Sequence, residues 1–202
     1  MIIRTARPDD AAAVARLHAE CIPEGFLASL GPRFLRRLYR RAVRSGRVSV
    51  LVAVTDDGAD GAAGGEVAGF VAIADDVRAF YREFLTRDWF LALLAAMIPV
   101  LRAPRSVFET LRYGGRAGGG ESGPTAEILA LAVTPVARGQ GTGAALAIAA
   151  LAEARRRGCP RVRVLTAVGN DAAVRAYERA GLRRAGRDSV HRGVEQDVLV
   201  WP

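Results

Sequence analysis

The chain has 202 residues, half of them hydrophobic, which suits one domain with a sizeable core. Its 29 basic residues are all arginine and give a net charge of +8, yet no aromatic-interleaved basic patch or nucleic-acid motif accompanies them. We therefore do not expect a nucleic acid partner. Two cysteines are too few for a disulfide framework. No segment has the form of a signal peptide or the length of a bilayer span, so a cytoplasmic location without membrane contact is expected.

The first 45 residues predict one strand followed by two helices. Ile2–Ala6 forms the strand, and a helix beginning at Pro8 places His18 and Cys21 on one face. Two such groups do not make a metal site, and we interpret both as packing residues. The second helix, 32–45, is apolar on one side and arginine-rich on the other. That basic side faces either solvent or an anionic partner.

A hairpin and a long insertion are predicted next. Val48–Val54 and Val67–Ala74 read as paired strands around an exposed glycine- and aspartate-rich loop. Residues 75–124 then show helical character near 79–85 and 89–98 and a capping box at 106–109. The aromatic residues concentrated in this insertion either line a pocket or bury the insertion against the body of the protein.

The stretch from Glu127 to Gly143 organises the rest of the chain. Its first part is apolar on both alternating faces, which predicts a central strand that ends at Thr134-Pro135. A glycine-rich turn and an alanine-rich helix follow. The free N–H groups of that helix and one arginine would attract phosphate, so we predict a nucleotide-phosphate cradle. The cradle residues are Arg138, Gly139, Gln140, Gly141, Thr142 and Gly143.

Two other phosphate-binding motifs fit this stretch less well. A P-loop requires a lysine, and the chain has none. Gly139-x-Gly141-x-x-Ala144 satisfies the dinucleotide fingerprint, but that fingerprint also needs an acidic residue about 20 positions later. No acidic residue lies between Glu153 and Asp171.

The remaining elements follow in a regular order. The helix after the cradle runs from Gly141 to Arg157, and Arg161–Ala167 forms the next strand. Asn170 is placed to cap a further helix that ends near Gly181. Two closing strands are expected at 182–190 and 195–201.

Two motifs in this part resemble the signatures of the GNAT (GCN5-related) N-acetyltransferases. The first is Arg138-x-x-Gly141-x-Gly143 after Val-x-Pro, and the second runs from Asn170 through Ala173 and Tyr177 to Gly181-Leu182. The resemblance implies one α/β domain over residues 1–202 with a mixed, mostly antiparallel, splayed sheet of about seven strands. It places the helical insertion, 75–124, before the central strand and on the acceptor side.

The same resemblance implies a function. Such a protein would be an acetyl-CoA-dependent N-acetyltransferase that uses no metal and transfers acetyl directly to a small-molecule or protein amine. Two alternatives stay open: a coenzyme-binding sensor without turnover, and a basic nucleic-acid-binding protein. The identity of the acceptor and the oligomeric state, a homodimer included, are not determined by the sequence.

Roles for individual residues also follow from the resemblance. The Leu131 N–H would face the acetyl oxygen and Val133 would pair with pantetheine. Tyr177 is either the general acid or a packed aromatic residue, and Asn170 caps its helix, contacts the coenzyme, or does both. The cofactor-binding set is Leu131, Ala132, Val133, Asn170, Ala173, Tyr177 and the six cradle residues.

The general base is the least defined role. Period-two counting puts Glu127 on the same strand face as Val133, and it resembles a glutamate base of the superfamily. Glu127 could equally be a solvated residue at the sheet edge, and a chain of water molecules could replace any base. Weaker candidates are Glu24, Asp75, Asp76 and His191.

Overall fold

The computed structural model describes residues 1–23, 26–55, 65–77, 79–80, 82–83, 125–191 and 194–202. The strands are β1 (Ile2–Thr5), β2 (Val48–Val54), β3 (Val67–Ala74), β4 (Thr125–Val133), β5 (Arg161–Ala167), β6 (Arg183–His191) and β7 (Val194–Trp201). The helices are α1 (Ala11–Cys21), α2 (Phe26–Ser29), α3 (Pro32–Arg44), α4 (Thr142–Arg156) and α5 (Asp171–Arg179). Short 3₁₀ turns at Pro8–Asp10 and Pro135–Ala137 precede α1 and the cradle.

The seven strands form one mixed sheet in the order β1-β2-β3-β4-β5-β7-β6. Only β4 and β5 are parallel, and every other neighbouring pair is antiparallel. The prediction of a mixed, mostly antiparallel α/β sheet is therefore confirmed. The closing strands pair as expected, but β7 lies between β5 and β6.

Each face of the sheet carries its own apolar cluster. One cluster lies under α1 and α3, and the other lies under α4 and α5. All residues of β2 and β3 are buried because helices cover both faces of these strands. This double cover explains why both strands are almost entirely apolar in sequence, with Ser49 as a buried polar exception.

His18 is a core residue, as the packing interpretation predicts. Its side chain is 3% exposed, its Nδ1 lies 2.6 Å from the Tyr39 hydroxyl, and its ring stacks on Phe70. Burial lowers the pKa of His18 to about 4, so the ring is neutral at physiological pH. His18 thereby joins α1, α3 and β3 through one hydrogen bond and one ring contact.

Helix α3 has one buried side and one exposed side, as its sequence pattern indicates. Phe34, Leu35, Leu38, Tyr39 and Ala42 are buried against the body of the protein. The opposite side exposes arginines, while Arg41 turns toward Glu83 and forms an ion pair of 2.5 Å with it. Glu83 belongs to a helical stretch that includes residues 79–80 and 82–83.

Most of the predicted insertion, including the segments 89–98 and 106–109, lies outside the described residues. Within the described part, the Asp76 carboxylate accepts a hydrogen bond from the Ala79 N–H at 2.9 Å, and Phe80 is 2% exposed. Phe80 packs into the cluster under α1 and α3, so this aromatic residue anchors the segment to the body. The predicted loop at 55–65 and the turn at 192–193 also fall largely outside the described residues.

Candidate active site

A cleft opens in the sheet where β4 and β5 part. The two strands pair only over Thr125–Ile128 and Arg161–Val164, after which β5 continues to pair with β7 alone. Just beyond this point β4 carries a bulge, because Ala72 opposes Ala130 while Ile73 opposes Ile128, leaving Leu129 without an opposite residue. The second half of β4 therefore borders the cleft along the side where β5 has turned away.

The backbone of β4 presents polar groups to this cleft. The Thr134 N–H donates to the Ala68 carbonyl of β3 at 2.8 Å. The Val133 carbonyl belongs to the same peptide and points the opposite way, toward the cleft. Successive residues of a strand direct their backbone N–H and carbonyl groups to opposite sides. Leu131 therefore directs its N–H and carbonyl toward the cleft as well, whereas those of Ala132 point toward β3.

The predicted cradle lies at the end of this strand. Gly139 and Gly141 have φ angles of 75° and 83°, in the left-handed region that residues with a side chain rarely adopt. Gly141 is the N-cap of α4, and no side chain caps that helix end. The first N–H groups of α4 are consequently free of helix partners and form a site suited to an anion.

The polar side chains of the cradle fix its shape. The Thr142 hydroxyl is buried and donates to the Ala137 carbonyl at 3.1 Å, while the Gln140 amide donates to the Val136 carbonyl at 2.9 Å. Both bonds close the loop on itself. The capacity of the cradle for an anion thus resides in backbone N–H groups and in Arg138.

Arg138 points back toward the strand. Its Nε donates to the Val133 carbonyl at 3.1 Å, and its Nη2 lies 3.5 Å from the Cys21 sulfur. Cys21, at the last position of α1, places its own Sγ 3.7 Å from the same carbonyl. The sequence gives no sign of this contact, because Cys21 and Arg138 are 117 positions apart.

Helix α5 forms the other wall of the cleft. Asn170 caps it, since Asn170 Oδ1 accepts from the Ala173 N–H at 3.2 Å. Gly143 lies against this helix and β4: a Cβ placed there would be 3.5 Å from the Ala176 Cβ and 3.8 Å from a Leu131 methyl. The fold therefore brings the two sequence signatures together with the open half of β4.

Tyr177 lies one turn after Ala173 on α5 and is 5% exposed. Burial raises the pKa of Tyr177 above its ordinary value, so the phenol stays protonated at neutral pH. Among the described residues, the buried side-chain polar atoms without a hydrogen-bond partner are Arg41 Nε and Thr134 Oγ1. The Tyr177 hydroxyl is not one of them.

Glu127 departs from the period-two count, which is wrong about its face. Ala126 and Ile128 pack into the cluster under α4 and α5, as do Leu131 and Val133, because the bulge at Leu129 reverses the alternation. Glu127 therefore lies on the opposite face from Val133, on the α1 side. Its Oε2 accepts from Arg163 Nε at 2.8 Å and also from Nη2, so the pair joins β4 to β5 beside the apex of the cleft.

The weaker base candidates are engaged elsewhere or not described. Asp75 is paired with Arg157, and Asp76 caps the Ala79 N–H. Glu24 and the His191 side chain lie outside the described part of the structure. No group of three or more His, Cys, Asp or Glu side chains able to hold a metal ion occurs in the described ranges. None of the helices described is long and apolar enough to cross a membrane.

The sheet is mixed and is split between two parallel strands, and the uncapped N-terminus of α4 lies beside the split. These features together define a class of fold. The family model described as "Acetyltransferase (GNAT) family" matches residues 12–182. The chain belongs to this acetyltransferase family.

Individual relatives agree with this assignment. A mycothiol acetyltransferase of Thermobispora bispora is 41% identical over 73 residues, which are 36% of this chain and 25% of that protein. The chain spans about a quarter of the length of the curated relatives it matches.

Solved structures share the fold over almost the whole chain. A GCN5-related N-acetyltransferase from Kribbella flavida has a TM-score of 0.64 at 18% identity, covering 100% of this chain and 96% of that one. An acetyltransferase from Salmonella typhimurium, solved with its cofactor acetyl-CoA, has a TM-score of 0.62 at 18% identity, covering 100% of this chain and 92% of that one.

Proposed function

We propose that this protein is an acetyl-CoA-dependent N-acetyltransferase that passes the acetyl group directly to an amine. Membership of the acetyltransferase family supports acetyl transfer. The observation that carries the proposal is the parting of β4 from β5 beside the uncapped N-terminus of α4. This arrangement offers an anion site and a row of free strand amides to one extended ligand.

The coenzyme would occupy the cleft along its length. Its pyrophosphate would accept hydrogen bonds from the backbone N–H groups of 139–143 and from the Arg138 guanidinium. Its pantetheine arm would lie along the open half of β4, with Val133 as its main hydrogen-bonding residue. Asn170 and Ala173, at the start of α5, would border the arm on the other side.

The chemical step needs a donor to the oxyanion, a proton donor for the leaving thiolate and a base for the amine. The Leu131 N–H would donate to the acetyl oxygen as the amine nitrogen attacks the carbonyl carbon, and it would stabilise the tetrahedral oxyanion. The carbon–sulfur bond then breaks, and Tyr177 would donate a proton to the departing thiolate.

Glu127 is the proposed base that removes a proton from the amine. Its position on the α1 face supports approach of the acceptor from the side opposite α4 and α5. Water molecules linked to this carboxylate could connect it to an amine bound deeper in the cleft.

The test is an acceptor screen with acetyl-CoA that measures released thiol. Amino sugars, small amines, antibiotics, protein N-termini and the acceptor of mycothiol acetyltransferases form the panel. Turnover with an amine, and an amide in the product by NMR, is the expected result. An ester product would restrict the conclusion to acyl transfer.

The two alternatives give different outcomes in the same experiment. Tight acetyl-CoA binding without turnover across the panel would favour a sensor. Binding to duplex DNA with a steep salt dependence, together with no affinity for acetyl-CoA, would favour a nucleic-acid-binding protein.

A further inference from the structure

Glu127 is held by Arg163 through one of its two carboxylate oxygens. Arg163 Nε donates to Glu127 Oε2 at 2.8 Å, and Arg163 Nη2 donates to the same oxygen. No residue in the described ranges donates to Oε1, and this atom is not among the buried polar atoms without a partner. Solvent therefore reaches Oε1, which keeps its capacity to accept a hydrogen bond or a proton.

The pair stands at the last rows where β4 and β5 are joined. Glu127 lies opposite Arg163, and the pairing ends one row later at Ile128 and Val164. The side chains of Glu127 and Arg163 are 17% and 21% exposed, so both charges are partly removed from water. An ion pair in such a place keeps its geometry better than a fully solvated one, because water and salt compete less for the same groups.

Arg163 is itself fixed by the sheet. Its backbone pairs with Val200 of β7 on the side away from β4, so β5 stays in the sheet beyond the split. The guanidinium thus extends from one wall of the cleft to a carboxylate on the other wall. Without it, the rotatable bonds of the Glu127 side chain would be free, and the carboxylate could turn into solvent.

The orientation of this carboxylate matters for the base that the proposed function needs. A group that removes a proton must lie within hydrogen-bond reach of that proton, directly or through one water molecule. Arg163 engages Oε2, so the proton would pass to Oε1. Misplacing a reacting group by about 1 Å lowers the rate on the order of 100-fold.

We propose that Arg163 is a positioning residue for acetyl transfer: by holding Oε2 of Glu127, it keeps Oε1 directed to the acceptor amine or to the water linked to it. This inference rests on the proposed function and on Glu127 as its base. Arg163 touches neither substrate and exchanges no proton. The proton leaves the amine nitrogen and is taken up by Oε1 as the nitrogen bonds to the acetyl carbon.

Substitution of Arg163 is the first part of the experiment, with an amine that the acceptor screen shows to be acetylated. Arg163→Gln removes the charge and the forked pair of donors. We expect the turnover number to fall by roughly 10- to 100-fold while acetyl-CoA affinity stays at the wild-type value. Arg163→Lys keeps the charge and should lose less turnover. Circular dichroism and urea unfolding establish that each variant is folded.

Rescue by guanidinium separates positioning from a purely structural role. Arg163→Ala leaves space beside Glu127, and millimolar guanidinium chloride should restore part of its turnover, because the free ion can donate to Oε2 with the same fork. Sodium chloride at the same concentration should restore none. A loss of turnover that follows the unfolding midpoint and does not respond to guanidinium would overturn the inference.

A double-variant cycle tests whether Arg163 acts through Glu127. Turnover is measured for Glu127→Gln, for Arg163→Gln and for the protein that carries both substitutions. The double variant should match Glu127→Gln within about twofold, because a positioning residue has no further effect once its carboxylate is gone. Deficits that multiply would show that Arg163 affects turnover by another route, and they would also overturn the inference.

Arg156→Gln is the matched control. Arg156 donates to a glutamate in the same way, through Nε and Nη2 to Glu153 at 2.8 and 2.7 Å. This pair lies in the last turns of α4, at the opposite end of that helix from the cradle. The substitution deletes the same groups and should leave turnover and acetyl-CoA affinity at wild-type values.

Full turnover in both Arg163→Gln and Arg163→Lys would overturn the inference, and the lysine variant provides this test if the glutamine variant folds poorly. Full turnover in Glu127→Gln would remove the base, and the inference with it, but would leave acetyl transfer itself in place. Failure of the proposed function is a separate outcome, seen as a wild-type protein that acetylates no amine.

Discussion

Two buried tyrosines show how surroundings separate a structural residue from a proposed catalytic one. Tyr39 is 3% exposed, and its hydroxyl is bonded to His18. Tyr177 is 5% exposed and packs in the cluster under α4 and α5, on the helix that borders the cleft. Burial raises the pKa of Tyr177, so its proton remains available as a donor through neutral and mildly alkaline pH.

Tyr177→Phe tests the proposed acid. We expect turnover to fall by roughly 10- to 1000-fold, because the departing thiolate loses its proton donor. Acetyl-CoA affinity should change little, since the cradle and β4 supply the main contacts. Steady-state kinetics with an acceptor for which chemistry limits the rate, together with calorimetry, measure the two quantities.

Tyr39→Phe is the control for that substitution. It makes the same chemical change in an equally buried tyrosine and should cost about 1 kcal/mol of stability, with turnover unaffected. Full turnover in Tyr177→Phe would show that solvent protonates the thiolate.

Glu127→Gln tests the proposed base. The turnover number should fall by roughly 10- to 100-fold at neutral pH, because the amine loses its proton acceptor. The deficit should shrink as pH rises, since more of the acceptor amine is then already unprotonated. A pH profile of turnover for the variant and the wild type measures this dependence.

Glu178→Gln is its matched control. Glu178 also pairs with an arginine, Arg184, but on the exposed surface of α5. A constant deficit at every pH in Glu127→Gln would indicate that the carboxylate only joins β4 to β5 through Arg163.

The sequence indicated which segments border the cleft, but it did not give the direction of every side chain. Glu127 was assigned to the wrong face because the bulge at Leu129 reverses the alternation, and a run of alternating leucine and alanine carries no mark of a bulge. The pairing of Glu127 with Arg163 and the contact of Cys21 with Arg138 depend on the folded sheet. Neither could be read from local sequence.

At the scale of elements, local sequence was sufficient wherever a run is long and clearly bounded. The bounds of β2, β3 and β5 were predicted to the residue, because charged residues or proline mark most of their ends: Arg47 before β2, Glu66 and Asp75 around β3, and Pro160 before β5. The order of β6 and β7 was not predicted. Strand order depends on which distant strands pair, and both closing strands have the same kind of pattern.

Gly141→Asp tests the cradle. Gly141 has φ of 83° and is the N-cap of α4, so an aspartate there adds negative charge beside the expected pyrophosphate. We expect acetyl-CoA affinity to fall by roughly 10- to 100-fold, which calorimetry can measure.

Gly158→Asp is the control at the other end of the same helix. Gly158 has φ of 76°, and a Cβ there would meet no atom within 4 Å, as at Gly141. The two substitutions share the backbone strain and the charge change, so equal affinities in both variants would remove the cradle from the proposed function.

At the scale of the whole molecule, His18 couples stability to pH. Its pKa is about 4 in the folded protein and 6.5 without the fold, so the unfolded chain takes up a proton first as the pH falls. Stability from the neutral ring is present above pH 6.5 and is lost progressively toward pH 4.

Urea unfolding at pH 7 and pH 5 measures this coupling. Wild-type protein should lose about 2 kcal/mol of unfolding free energy through His18 between these values. His18→Gln cannot titrate and should be less stable at pH 7 but lack this part of the pH dependence. An identical pH dependence in both proteins would mean that other groups control acid stability.

The strand order also has a consequence for synthesis. Within the described sheet β6 pairs with β7 alone, and β7 is made after it, yet β7 lies inside the sheet between β5 and β6. While the ribosome is still translating residues 194–201, β5 has one bare edge and β6 has no partner. The split sheet can therefore be completed only after β7 has left the ribosome, and until then the nascent protein exposes the two strand edges that β7 later covers to chaperones and to neighbouring chains.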